Sequence, residues 1–284
     1  MSIPASWINT RPEKPMRANL SALRYPGERS TLFGTLLLIG IILLISAAPT
    51  LLLLPLAVGL TVAVSYSRTR EHHQQLLRNA LAVTPASAAG VDALVQDCRR
   101  RLGAEAVQVF AVRSRQLNAY TFGLHAPRVV VLNSALFERM DADELRFIIG
   151  HELGHVVLGH TWLNTLVGGM AGLPTSFGGA MLLTLALRGW SRACEYSADR
   201  AGLAACGSLN KATSALVKLV STGRSPQDLE RALRAVEAED DSLINVLAES
   251  LSTHPMIVKR IAELRQFAAS PEYQKMAGPN PNHR

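Results

Sequence analysis

A mainly helical α+β fold is what this sequence predicts, with a small antiparallel sheet, a long helical region after it and an apolar helical hairpin in front. Three observations predict it. Residues 31–66 carry no charged side chain and are dominated by Leu, Ile, Val, Ala and Gly. Three short β-like runs, Val107 to Val112, Asn118 to Phe122 and Arg128 to Leu132, are separated by polar or Gly/Pro-containing turns. From Asn133 onward the apolar residues recur at helical spacing.

The first element is a flexible basic arm, residues 1–30, in which Pro4, Pro12, Pro15 and Pro26 stand among polar and basic residues with little periodicity. Residues 31–66 follow as a transmembrane segment. One spanning helix needs roughly 20 apolar residues and a pair needs roughly 40, so this run falls between the two. Pro49 and Pro55 sit near its middle, where a turn would lie. Arg11, Lys14, Arg17, Arg24 and Arg29 precede the run, and Arg68, Arg70 and Arg78 follow it. Because basic residues stay on the cytoplasmic side, flanks of this kind favour a hairpin with both ends in the cytoplasm over one long tilted span. The run begins too late and is too long for a cleavable signal peptide.

Residues 67–270 are the length of one globular domain, and residues 271–284 read as a flexible tail. Residues 67–103 have a helical pattern interrupted at Thr84-Pro85 and stopped at Gly103. The formal charge of +7 comes from scattered residues without an aromatic-interleaved basic motif, which argues against nucleic acid as a partner. Cys98, Cys194 and Cys206 are odd in number and lack C-x-x-C spacing, so they read as small buried hydrophobes in a reducing compartment.

The helix after the sheet opens with Asp141 and Glu144 at the spacing of an N-cap and its capping-box partner. It carries His151-Glu152-Leu153-Gly154-His155. At about 100° per residue, positions four apart share a helix face, so His151 and His155 can grip one ion. Imidazole is a favoured zinc donor, and a catalytic zinc site takes three protein ligands with one position left to water. The adjacent Glu152 suits the base that takes a proton from such a water and passes it to a leaving amine.

So short a motif arises by chance, and corroboration comes from Glu195-Tyr196-Ser197-Ala198-Asp199. Glu195 and Asp199 are also one helical turn apart, so one can ligate the ion while the other accepts a hydrogen bond from a ligand histidine. His160 is the rival third ligand. It lies about 140° round the helix from His155 and misses the metzincin spacing, so it reads as structural or as a helix end. His72, His73, His125 and His283 lack ligand-like spacing and read as surface residues.

Taken together, these pieces resemble the HtpX-like family of membrane-associated metallopeptidases, within the zincins that use glutamate as third ligand. The resemblance spans residues 105–265 and extends to Asn118-Ala119-Tyr120-Thr121-Phe122-Gly123, the D-A-D-E-L lead-in, and Ser252-Thr253-His254-Pro255 followed by Arg260. It implies a zincin-like catalytic domain with one zinc ion per subunit, held by His151, His155 and Glu195. Asp199 would hold a ligand histidine and Glu152 would serve as base. Asn118 and Ala119 would bind substrate backbone as an added strand, and His254 would stabilise an oxyanion.

The resemblance further implies an endopeptidase acting on unfolded or membrane-associated polypeptides. Its expected setting is the lipid bilayer of a cell inner membrane, crossed more than once, with the catalytic domain in the cytoplasm. The sequence departs from HtpX itself at residues 162–187, which are apolar, Gly-rich and broken by Pro174. That stretch reads as a re-entrant hairpin, a membrane-lying cap, buried helices or a Gly-rich loop over the cleft, and the lack of charge from Thr161 to Leu187 favours membrane contact. Residues 225–240, opening with Ser225-Pro226, read as an exposed helix near the cleft.

Overall fold

A computed structural model describes residues 19–50, 52–167, 185–220, 234 and 255–277. Residues 225–240, apart from Arg234, and the middle of 162–187 lie outside the described residues, as does His254.

The arm ends earlier than its composition suggests. Asn19 caps a short helix α1 (Leu20–Leu23) by accepting from the Ser21 amide, and Leu23 is fully buried in the main core. Gly27, at φ 80°, turns the chain into α2 (Glu28–Ala47). The expectation of flexibility up to residue 30 is therefore corrected. Prolines and charges dominate the segment, but one buried leucine and one buried acid, Glu28, decide its course.

At 20 residues, α2 is about 30 Å long, the thickness of a bilayer's hydrocarbon core. Among the described residues it is the one helix long and apolar enough to cross a membrane. Its apolar side chains are bare: Phe33 is 66% exposed, Leu44 76% and Ile45 70%. Exposed apolar surface on this scale marks an interaction with lipid or with another protein. Pro49 lies in the turn after α2, and α3 (Leu53–Arg78) follows in contact with it. Pro55 is in the first turn of α3, where its missing N–H leaves no helical bond unmade.

The far end of α3 covers one face of the sheet. Leu76 and Leu77 pack with Phe110, Val112, Phe122, Val129 and Val131. His73 stacks on Phe122 with ring centroids 3.5 Å apart and is buried, so its reading as a surface residue is corrected. The residues that alternate with these, Val109, Ala111, Val130 and Leu132, face the opposite side and join the main core. The period-two alternation of strands thus buries both faces.

The helix expected over residues 67–103 divides into α3 and α4 (Pro85–Leu102), with a two-residue strand β1 (Leu81–Ala82) between them. Thr84 caps α4 in a reciprocal pair with Ser87, Pro85 occupies the first turn, and Gly103 ends the helix at φ 64°. The sheet is completed by β2 (Val107–Val112), β3 (Ala119–Phe122) and β4 (Arg128–Asn133), in the order β1-β2-β4-β3.

The expected antiparallel sheet proves mixed, because β2 and β4 pair parallel. From the end of β2 the chain crosses to the far edge before β3 begins, so β4 returns between β3 and β2. Ser114 and Ser134 staple that crossover with two mutual hydrogen bonds of 3.1 and 3.0 Å. Alternation and turn spacing specify strands but not their order.

Helix α5 (Ser134–Arg139) leads into α6 (Ala142–Val157), whose N-terminus carries the expected reciprocal cap between Asp141 and Glu144. After α7 (Thr161–Val167) come α8 (Arg188–Cys206), α9 (Leu209–Leu219), α10 (Pro255–Ala268) and α11 (Pro271–Ala277). Residues 271–277, placed in a flexible tail, are thus helical, and Tyr273 and Met276 pack against the core. Cys98, Cys194 and Cys206 are free and buried, as expected.

Candidate metal centre

Two helices carry the site, and small residues let them approach. A methyl group on Gly150 would lie 2.4 Å from the Ala205 Cβ, and one on Gly154 would lie 2.7 Å from the Ala201 Cβ. Because rising positions on α6 meet falling positions on α8, the pair is antiparallel. Bulkier side chains would force the axes apart and separate candidate ligands that belong to different helices. Gly154 within the motif is therefore a packing requirement.

This approach brings together the three expected ligands. His151 Nε2 and His155 Nε2 are 3.2 Å apart, and Glu195 places Oε2 3.6 Å from the first and Oε1 3.6 Å from the second. One donor atom from each of the three lies within 4.8 Å of those of the others. The arrangement passes a chemical test for a metal. Both imidazoles are engaged at Nδ1 by partners outside the cluster, His151 by Asp199 and His155 by His160. Their Nε2 atoms face each other and a carboxylate, and with both rings protonated at Nδ1 this is a set of lone pairs suited to a cation. Two nitrogens bound about 2.05 Å from a tetrahedral ion lie about 3.3 Å apart, close to the spacing found.

Asp199 sits where a carboxylate can hold His151, with Oδ1 3.0 Å from its Nδ1. Arg260 clamps Asp199 from the other side with two hydrogen bonds of 2.7 and 2.6 Å, and its third nitrogen pairs with Glu195 Oε2 at 3.1 Å. Burial would push the Asp199 carboxyl up, but the Arg260 charge and hydrogen bonds outweigh it and hold the group below its ordinary value. It is then an acceptor only, which assigns the His151 Nδ1 proton. Burial also drives His155 well below the usual imidazole range, helped by His151 and His160 nearby. A neutral imidazole is the form that binds metal.

Glu152 lies between this cluster and the sheet. Thr121 of β3 donates its hydroxyl to Glu152 Oε2 at 2.6 Å. Burial raises the Glu152 carboxyl, opposed by the His151 charge and the Thr121 hydrogen bond. A cleft lined by Asn118, Ala119, Thr121 and Arg260 opens over Glu152 and the three donors. Since β3 is the outermost strand next to this cleft, one backbone edge borders the site.

Sequence reasoning missed three participants: Thr121, Glu28 and the inward-facing role of His160. Thr121 stood inside the quoted N-A-Y-T-F-G stretch, and Glu28 is the last acid before the uncharged run, a signal that could have found it.

Two histidines one turn apart on a helix, a glutamate facing them from a second helix and a further glutamate next to the first histidine are the arrangement of the metallopeptidase class. The profile of peptidase family M48 matches residues 85–268, and the chain belongs to that family. It is 29% identical to a protease HtpX homolog of Moorella thermoacetica over 68% of this chain and 77% of the other. It is likewise 29% identical to a protease HtpX homolog of Kineococcus radiotolerans over 84% and 93%. A plastoglobule-localized metallopeptidase 48 of Arabidopsis thaliana is also 29% identical, over 64% of this chain, which spans 58% of that relative's length. No solved structure matches the chain significantly.

Proposed function

We propose that this chain is a membrane-anchored, zinc-dependent endopeptidase of zincin-like architecture, with the catalytic domain in residues 67–270 and one ion per subunit held by His151, His155 and Glu195. The convergence of these three donors carries the reading. Zinc, when bound, supplies a Lewis acid that polarises a carbonyl and makes water a nucleophile near neutral pH. The remaining work belongs to the chain. Thr121 holds Oε2 of Glu152 and leaves Oε1 to take a proton from the attacking water. A carboxyl raised by burial holds that proton readily and returns it to the leaving amide nitrogen. Asp199 and Arg260 fix the orientation of His151 and Glu195.

The substrate is a polypeptide in extended form, bound as an added strand along β3 through Asn118 and Ala119. Family relatives named as proteases support a peptide bond as the target. His254 is assigned the oxyanion on resemblance alone.

The anchor is a hairpin of α2 with the apolar start of α3, where Leu53, Leu56 and Leu60 are exposed. Basic residues outside both ends support a domain on the cytoplasmic side of an inner membrane, facing unfolded or membrane-associated chains. Metal analysis of purified protein tests the centre. One zinc per chain in wild type and its loss in Glu195→Ala are expected, and undiminished zinc in that variant removes Glu195 from the ligand set.

A further inference from the structure

One ligand histidine, His151, is held by a carboxylate and arginine pair, Asp199 with Arg260. The other ligand has a similar support one residue further away. His155 Nδ1 lies 3.0 Å from His160 Nδ1, and His160 Nε2 lies 3.1 Å from Glu28 Oε1. Glu28 is ion-paired with Arg24 and accepts the Ser197 hydroxyl. His160 and Glu28 are each 1% exposed. Gly159, at φ 78°, turns the chain sharply after α6 and returns His160 beneath His155, where the His160 amide donates to the His155 carbonyl at 2.9 Å. Trp190 packs edge-on against the His160 ring.

The protons along this path can be placed from its far end. Glu28, beside Arg24, only accepts, so His160 Nε2 carries hydrogen. The other nitrogen of a neutral imidazole is an acceptor. His160 Nδ1 therefore accepts, His155 Nδ1 donates, and His155 Nε2 is left bare towards His151 and Glu195. That is the tautomer a metal ligand needs, reached without any contribution from Asp199 or Arg260.

We propose that Glu28 and His160 are positioning residues for His155, which set its tautomer and ring orientation for metal binding and couple the centre to the start of the membrane helix. The inference rests on the zinc reading above. Glu28 is the first residue of α2, and the uncharged run begins at Thr31, three residues and about 4.5 Å further along the axis. Arg24 adds a second tie by donating to the Leu158 carbonyl at the end of α6, at 2.9 Å. The end of the helix that enters the membrane is thus linked, through His160, to a ligand of the metal.

Glu28, His160 and Cys194 also place donor atoms within 4.8 Å of one another, as a second metal site would. Arg24 already supplies the positive charge there, and both nitrogens of His160 are engaged, so the positioning role is favoured.

The test uses the full chain in detergent, stripped of metal and titrated with zinc against a competing chelator, with metal-free melting followed in parallel. Wild type binds one zinc. Glu28→Gln and His160→Asn each bind it roughly ten- to a hundredfold more weakly, the usual effect of losing a partner behind a ligand histidine. The double variant binds no more weakly than His160→Asn, because Glu28 acts through His160. Unchanged affinity in the folded variants, or additive losses, overturns the proposal. So does a second zinc that is lost in Glu28→Gln, which makes the cluster a metal site of its own. If the variants do not fold while metal-free wild type does, the pair maintains the fold rather than the ligand, and the proposal fails equally. Absence of zinc binding by wild type instead removes the zinc reading itself.

Discussion

Thr121, on the edge strand, donates its hydroxyl to Oε2 of Glu152, on the motif helix, at 2.6 Å. This bond joins the strand proposed to hold substrate to the carboxylate proposed as base, so the two halves of the site share one contact. Hydrogen bonds to charged groups are worth about 1.5–3 kcal/mol.

Thr121→Val is therefore expected to lower kcat roughly ten- to hundredfold on an unfolded polypeptide substrate. Zinc content should be unchanged, because the proposed ligands lie on the other side of Glu152. Thr121→Ser, which keeps the hydroxyl, should retain most of the rate. Steady-state kinetics with metal analysis of the same samples checks this, and zinc loss in Thr121→Val would place the bond among the supports of the ligand set.

Gly150 tests the helix contact that assembles the proposed ligands. A methyl group there meets the Ala205 Cβ at 2.4 Å and backbone of α8 at 3.1 Å. Replacing glycine by alanine within a helix gains about 1 kcal/mol of propensity, while overpacking a dense contact costs typically about 1–3 kcal/mol. Gly150→Ala should be destabilised on balance and bind zinc more weakly, and Gly150→Val more so. Adding Ala205→Gly should recover part of both losses. Thermal unfolding and zinc titration of the four proteins decide the matter.

Asp141 tests the cap that starts the motif helix. Partial burial would raise its carboxyl, but the Glu144 amide hydrogen bond and Lys211 outweigh it and hold the group below its ordinary value of 3.8. A folded-state value lowered in this way gives stability that is complete above about pH 4 and lost as pH falls through the folded value. Asp141→Ala should cost about 1 kcal/mol at neutral pH. Its deficit against wild type should shrink in acid, as followed by denaturant unfolding across that range.

Much of the centre was legible because its chemistry is local. His151 with His155, and Glu195 with Asp199, are one-turn pairs that a helix must place on a face, and Asp141 with Glu144 announces where that helix begins. Long-range placement was not legible. Nothing in the strand pattern says that β4 passes between β3 and β2, so the sheet was expected to be antiparallel.

Glu28 and His160 escaped for a related reason. Each looks ordinary among its chain neighbours, one in a proline-rich arm and one at a helix end. Their partnership exists only because Gly27 and Gly159 turn two distant segments towards each other. His73 was assigned to the surface because no sequence spacing reveals its stacking on Phe122.

The central claim, that Glu152 is the base at a zinc centre that cuts polypeptides, is tested most directly by digestion of an unfolded protein such as casein with wild type and Glu152→Gln, each loaded with zinc. The account predicts chelator-sensitive cleavage by wild type, and a rate in Glu152→Gln lower by at least about a hundredfold with zinc still bound. Equal cleavage by the two proteins, insensitive to chelator, would contradict it.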